Sequence, residues 1–73
     1  MSKIFKAEAI RFAGYTESGP AWFVEWGWET VGFFSSHEEA KRQAYRQCAA
    51  NLGKTNHEYN RGTPWRVTEI GVK

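Results

Sequence analysis

Apolar and polar positions alternate along the N-terminal part of the chain, the pattern of strands with one wetter face. From Ile4 to Ala13, Phe5, Ala7 and Ala9 alternate with Lys6 and Glu8. Ile10 and Phe12 then take the opposite parity, so either a bulge near Ala9 switches the face or both faces are partly covered. Gly14-Tyr15-Thr16-Glu17-Ser18-Gly19-Pro20 has the composition of a loop. The stretch from Trp22 to Phe34 holds three of the four tryptophans and three of the five phenylalanines. Within it Trp22, Val24, Trp26 and Trp28 share one parity, and Phe23, Glu25 and Glu29 take the other. Aromatic and β-branched residues suit a pleated, half-buried surface, so this stretch predicts a hairpin with its turn within Gly27–Thr30. Gly27 and Gly32 are candidates for a bulge or a close backbone approach.

The period then changes. Ser36 and Glu39 match a capping box, in which each side chain satisfies the other residue's backbone N–H. Ala40, Ala44, Cys48 and Leu52 follow at i+4 with Tyr45 beside them, which predicts an amphipathic helix carrying a strip of small residues. Small side chains let a helix sit close to a sheet whose own residues are large. Asn51-Leu52-Gly53 is a plausible stop, with Gly53 taking the left-handed conformation common after a helix. Residues 53–64 form a polar connection, long for a chain of this size and therefore either functional or mobile. Trp65 to Val72 has the composition of a last strand. The fold class expected is α+β: one domain spanning 1–73, a small antiparallel sheet of three to four strands packed on one α-helix, in the order β-β-β-α-β.

Length sharpens the meaning of the aromatics. A chain of 73 residues buries only about 60% of the surface its unfolded form exposes. Each large ring buries roughly 150–250 Å², so many of these rings are needed simply to hold the domain together. One short helix nevertheless leaves a sheet face uncovered. Trp22 is expected in the core, whereas Trp26 and Trp28, near the expected hairpin end, fit core and surface equally.

Cysteine usage and hydropathy bound the compartment. Cys48 is the only cysteine, which excludes an intrachain disulfide and a cysteine-based zinc site and fits a reducing cytoplasm. No apolar run approaches the roughly 20 residues that cross a bilayer, and Met-Ser-Lys-Ile-Phe-Lys lacks the apolar stretch of a signal peptide. The expectation is a cytoplasmic, monomeric protein with no membrane partner.

Candidate chemistry is sparse. The chain contains no aspartate. Ser36 and His37 are neighbours on a helix and do not face each other, so they make no nucleophile–base pair. His57 and Glu58 read as a solvated loop pair, and Cys48 as a small core residue. Gly53-Lys54-Thr55 ends a helix instead of opening one, the wrong side for a phosphate loop. The reading is a non-enzyme, with no catalytic residue, metal site or cofactor.

Two binding readings remain. Tryptophan and tyrosine anchor many protein interfaces, and Tyr15, Trp26 and Trp28 with an acidic rim of Glu25 and Glu29 would suit a basic, apolar peptide. The alternative is a small nucleic-acid-binding protein with exposed aromatics and a basic helix face. The net charge of +2 is small, but residues 37–66 hold Lys41, Arg42, Arg46, Lys54, Arg61 and Arg66 against three glutamates. Lys41, Arg42, Arg46, Lys54 and Arg61 would then follow phosphates. An ordinary i,i+4 pair between Glu38 and Arg42 is the plainer explanation of part of that charge.

Size, organisation and aromatic hairpin together resemble the small transcription regulators that lytic bacteriophages make to bind host RNA polymerase. The residues nearest to that likeness are Ala21-Trp22-Phe23-Val24-Glu25-Trp26-Gly27-Trp28 and Glu38-Glu39-Ala40-Lys41-Arg42-Gln43-Ala44-Tyr45. The resemblance implies a protein–protein inhibitor that binds the large polymerase subunits. It would compete with sigma factor, inhibit transcription initiation and add antitermination. No residue's role is implied by position.

Overall fold

The tryptophan-rich stretch is one strand, not two. The computed structural model describes residues 2–72, in the order β1 (Ser2–Ser18), β2 (Ala21–Phe34), α1 (His37–Gly53) and β3 (Trp65–Val72). The strands form an antiparallel three-stranded sheet ordered β2-β1-β3, with α1 packed on one side. The α+β class and the single helix agree with expectation, while the order is β-β-α-β. No turn falls within Gly27–Thr30, where no residue has positive φ. The chain reverses at Gly19-Pro20, between the paired residues Ser18 and Ala21. Gly19 has φ 62, and proline cannot take positive φ after it, which selects the hairpin turn that needs a glycine at its first central position. The stretch from Gly14 to Ser18, expected in a loop, is therefore strand.

Two irregularities shape the hairpin. The register shifts between Ala7 and Glu8 and again between Phe12 and Gly14. The first leaves Val31 as the extra residue on β2, next to Gly32. The second leaves Ala13 as the extra residue on β1, beside Gly14 at φ 113. The first lies near Ala9 but puts its extra residue on β2, so β1 does not switch parity there. Ala7 and Ala9 are buried on one face and Ile10 on the other, and both faces are covered. An extra residue restores or switches which side chains face a given side. Here it turns Val31 toward the helix, where Val31 packs with Phe5, Phe34, Trp65 and Val67 around Ala7, Ala40 and Ala44.

The core explains the helix position. Ala40 and Ala44 are fully buried and Cys48 nearly so, as the i+4 spacing predicts. They meet a sheet face that also carries small residues, Ala7 and Ala9, both fully buried. The helix starts with Ser36 Oγ accepting from the Glu39 N–H at 3.3 Å, one half of the expected capping box. The Glu39 carboxylate instead accepts from Arg42 and Gln43, so Arg42 pairs with Glu39, not Glu38. At the far end Gly53 does not have positive φ. The helix closes through Lys54, whose N–H reaches the carbonyls of Asn51 and Leu52, a tightened last turn.

Asn51 anchors this end. Its amide donates to the Ile10 carbonyl at 3.1 Å and to Glu29 Oε1 at 3.0 Å, tying α1 to both strands of the hairpin. Among the described residues no helix is long and apolar enough to cross a membrane.

Candidate functional site

β3 covers only part of β1: its pairing runs from Ser2–Val72 to Ala9–Trp65. Beyond Ala9 the β1–β2 hairpin continues without a third strand, as an arm in a molecule 53 Å long and 23 Å wide. Cross-strand partners share a face. Val24 and Trp26 therefore lie with Tyr15 and Phe12 on the face away from α1, and Trp22 and Trp28 follow by alternation. None of these three tryptophans lies beneath the helix.

Three different things happen to them. Trp28 lies opposite Ile10, with the Arg66 guanidinium 4.1 Å above its ring. Arg66 also donates to Glu8, from Nε to Oε1 at 3.0 Å and from the guanidinium to Oε2 at 3.3 Å. An arginine reaching from β3 across β1 to β2 thus roofs the far face, and Ile10 is only 2% exposed without any helix over it. Glu8 is buried as well, and the Arg66 hydrogen bond holds its carboxyl below the ordinary value despite the opposing effect of burial.

Trp26 is half-buried by the connection between α1 and β3. Tyr59 meets it edge-on with ring centroids 5.3 Å apart, and Phe12 does so at 6.1 Å. His57 stacks on Phe12 at 5.2 Å, and its Nε2 lies 2.7 Å from the Tyr15 hydroxyl. His57 is therefore not half of a solvated pair with Glu58: it is the ring that fastens the 53–64 connection to the arm. The sequence signal was available, since His57 and Tyr59 are two rings at strand-like spacing in an otherwise polar stretch.

Trp22 is left uncovered. It is 66% exposed and its neighbour Phe23, on the opposite face, is 52% exposed. Tyr15 is 57% exposed despite its bond to His57. The expectation of a buried Trp22 is corrected by the turn at Gly19-Pro20, which places it at the end of the arm farthest from α1. Phe23, not singled out from the sequence, joins it there.

The five residues of the predicted partner site divide accordingly. Tyr15, Trp26 and Trp28 share the far face. Glu25 and Glu29 alternate to the helix side, so they form no rim around the rings; Glu29 is engaged by Asn51 and Glu25 is exposed. The alternative basic set, Lys41, Arg42, Arg46, Lys54 and Arg61, is exposed throughout. Lys41, Arg42 and Arg46 line a cleft with Glu38, Tyr45 and Trp65, whereas Lys54 lines a different one with Arg11 and Thr55. Tyr45, expected beside the buried strip, is 60% exposed.

Cys48 is buried, its thiol pushed up by desolvation and within 3.2 Å of the Tyr45 carbonyl. Among the described residues no group of three or more His, Cys or Glu side chains is placed to hold a metal ion. No protein-family model, curated protein or solved structure matches the chain.

Proposed function

We propose that this chain is a small phage-type regulator that binds the large subunits of bacterial RNA polymerase in the host cytoplasm. It obstructs initiation by interfering with sigma factor and promotes antitermination. The observation that carries a protein-binding role is the exposed set Trp22, Phe23 and Tyr15 on an arm that neither α1 nor β3 covers. Large rings left in water on a domain short of core are costly to keep there, and a partner surface recovers that burial. The choice of polymerase rests on the resemblance in size and aromatic-rich sequence to the lytic-phage regulators, in particular one made by a phage of Xanthomonas. A compact domain needs no catalytic group for this role: it acts by occupying or reshaping a surface that sigma factor requires.

The test is capture from a bacterial lysate, with and without nuclease, using the native chain and the Trp22→Ala/Phe23→Ala variant. The reading expects the large polymerase subunits to be retained after nuclease, to be lost by the variant, and to be released by added sigma factor. Capture that disappears with nuclease and falls steeply with salt points instead to nucleic acid on the basic helix face. Retention of polymerase by the variant removes the arm from the contact.

A further inference from the structure

A second surface lies on the other side of the molecule, where β3 is the edge of the sheet. Ile10 N–H donates to the Pro64 carbonyl at 2.8 Å, in line with the register that pairs Ala9 with Trp65. Bonded and non-bonded pairs alternate along an antiparallel ladder. Arg66, Thr68 and Ile70 therefore turn their backbone groups toward β1, and Trp65, Val67 and Glu69 turn theirs outward. Nothing among the described residues pairs with that outer edge. Beside it, between β3 and the flank of α1, runs a cleft of about 240 Å³ lined by Glu38, Lys41, Arg42, Tyr45, Arg46 and Trp65.

The edge is unlike a protected one. Sheet edges are usually blunted by proline, bulges, charged side chains or covering segments. β3 is regular over its eight residues, with no proline or bulge, and its two charges are engaged inward, Arg66 by Glu8 and Glu69 by Lys3. The cleft beside it is basic: three cations face Glu38. Arg42 is paired with Glu39, but among the described residues Lys41 and Arg46 have no ion-pair partner. Exposed Tyr45 and half-buried Trp65 supply apolar walls between the cations.

We propose that β3 accepts an extended acidic segment of a partner protein as a fourth strand, whose carboxylates lie in the Lys41–Arg46 cleft. Unpaired N–H and C=O groups at strand spacing match a peptide backbone, and a nucleic-acid strand would leave them unmet. The positive cleft opposes a second copy of this chain, which would bring like charges together. Alternate side chains of the added strand face the helix flank, where Arg46 and Lys41 receive acids. The others face away from α1, toward Ile70, which is 37% exposed. This surface is independent of the aromatic arm, and its failure leaves the arm's role intact.

The probe is a synthetic peptide alternating glutamate and valine over the length of β3, compared with its lysine–valine counterpart and with oligothymidylate. Amide chemical shifts and hydrogen exchange are followed by NMR, and the mass of the free protein by sedimentation. The expected result is a shift and slowed exchange of the Trp65, Val67 and Glu69 amides with the acidic peptide, at an affinity about tenfold above the lysine peptide. Glu69→Pro removes an outward N–H without breaking a backbone bond to β1, giving up only the exposed ion pair with Lys3, and Arg46→Glu cancels the net positive charge of the cleft. Each should weaken binding about tenfold with thermal unfolding unchanged. No shift along β3, equal binding of both peptides, preference for oligothymidylate, or a dimer that already protects these amides overturns the proposal.

Discussion

The two ends of this sheet are stabilised in opposite ways. Where α1 covers it, the contact is made by Ala7, Ala40 and Ala44 with no exposed area at all. Where α1 does not reach, large rings cover one another: Phe12, Tyr15 and Trp26 on the strands, His57 and Tyr59 from the connection. Small residues permit a close approach of two rigid elements but leave no slack. Rings packed at the surface tolerate the loss of one neighbour and stay partly available to a partner. The first end is sealed, and the second keeps ring surface in solvent.

The sharpest way to break this contrast is to enlarge the helix contact. Ala44→Leu places three extra carbons between α1 and the sheet, against the fully buried Ala7 and Ala40 and inside the surrounding Phe5, Val31, Phe34, Trp65 and Val67. Overpacking of this kind costs about 3 kcal/mol, which in a domain of this size lowers Tm by about 12–24 °C. A melting curve close to that of the native protein shows that the helix is not seated as tightly as Ala7 and Ala44 imply.

Between the two ends lies the Glu8–Arg66–Trp28 bridge. Removing the guanidinium leaves a buried carboxylate without its main partner, and Arg66→Met should cost about 2 kcal/mol. That is less than the roughly 3–5 kcal/mol of a fully buried pair, because Arg66 is half exposed and partly screened. The acid side gives the sign. Glu8 has a folded pKa depressed below 4.5, so the folded state binds fewer protons than the unfolded one. Its contribution is complete above 4.5 and fades as pH falls through the depressed value. Glu8→Gln should flatten that part of a stability–pH profile measured by urea unfolding; an unchanged acid limb assigns the pH dependence to other carboxylates.

How much of this was legible follows from the kind of signal involved. The helix was, because Ala40, Ala44 and Cys48 repeat at the helical period and Ser36 marks its start. The last strand, the antiparallel sheet and the shared parity of Trp22, Val24, Trp26 and Trp28 were also readable. The turn was misplaced because composition outweighed geometry. Gly14 and Gly19-Pro20 look like one loop, yet Gly14 serves a bulge and Gly19-Pro20 alone reverses the chain. A strand of seventeen residues is also far longer than the usual five or six. Tertiary partners were illegible: nothing local marks Asn51 as the clamp on Ile10 and Glu29, or Arg66 as the roof over Trp28. The acidic rim failed for a simpler reason, since alternate residues on a strand face opposite sides.

The connection should respond more mildly than either core. His57→Ala removes a ring stacked on Phe12 and the partner of the Tyr15 hydroxyl, a loss of about 1 kcal/mol. Its signature is local. Hydrogen exchange of residues 55–62 should accelerate while the amides of α1 stay protected, the pattern of a subglobal opening. Uniform acceleration of both regions makes the connection part of one cooperative unit with the helix.

The smallest effect on stability is the most informative about the arm. Trp22→Ala deletes a ring that is already two-thirds in water, so folding should change by less than about 0.5 kcal/mol. The same substitution should weaken polymerase capture by about tenfold or more, as truncation of an aromatic anchor does. The two measurements together separate a ring held ready for a partner from one that supports the hairpin. If Trp22→Ala lowers Tm as much as His57→Ala while capture is unchanged, the ring serves the fold. The arm is then merely a long hairpin, and the difference between its exposed end and the sealed alanine contact carries no functional meaning.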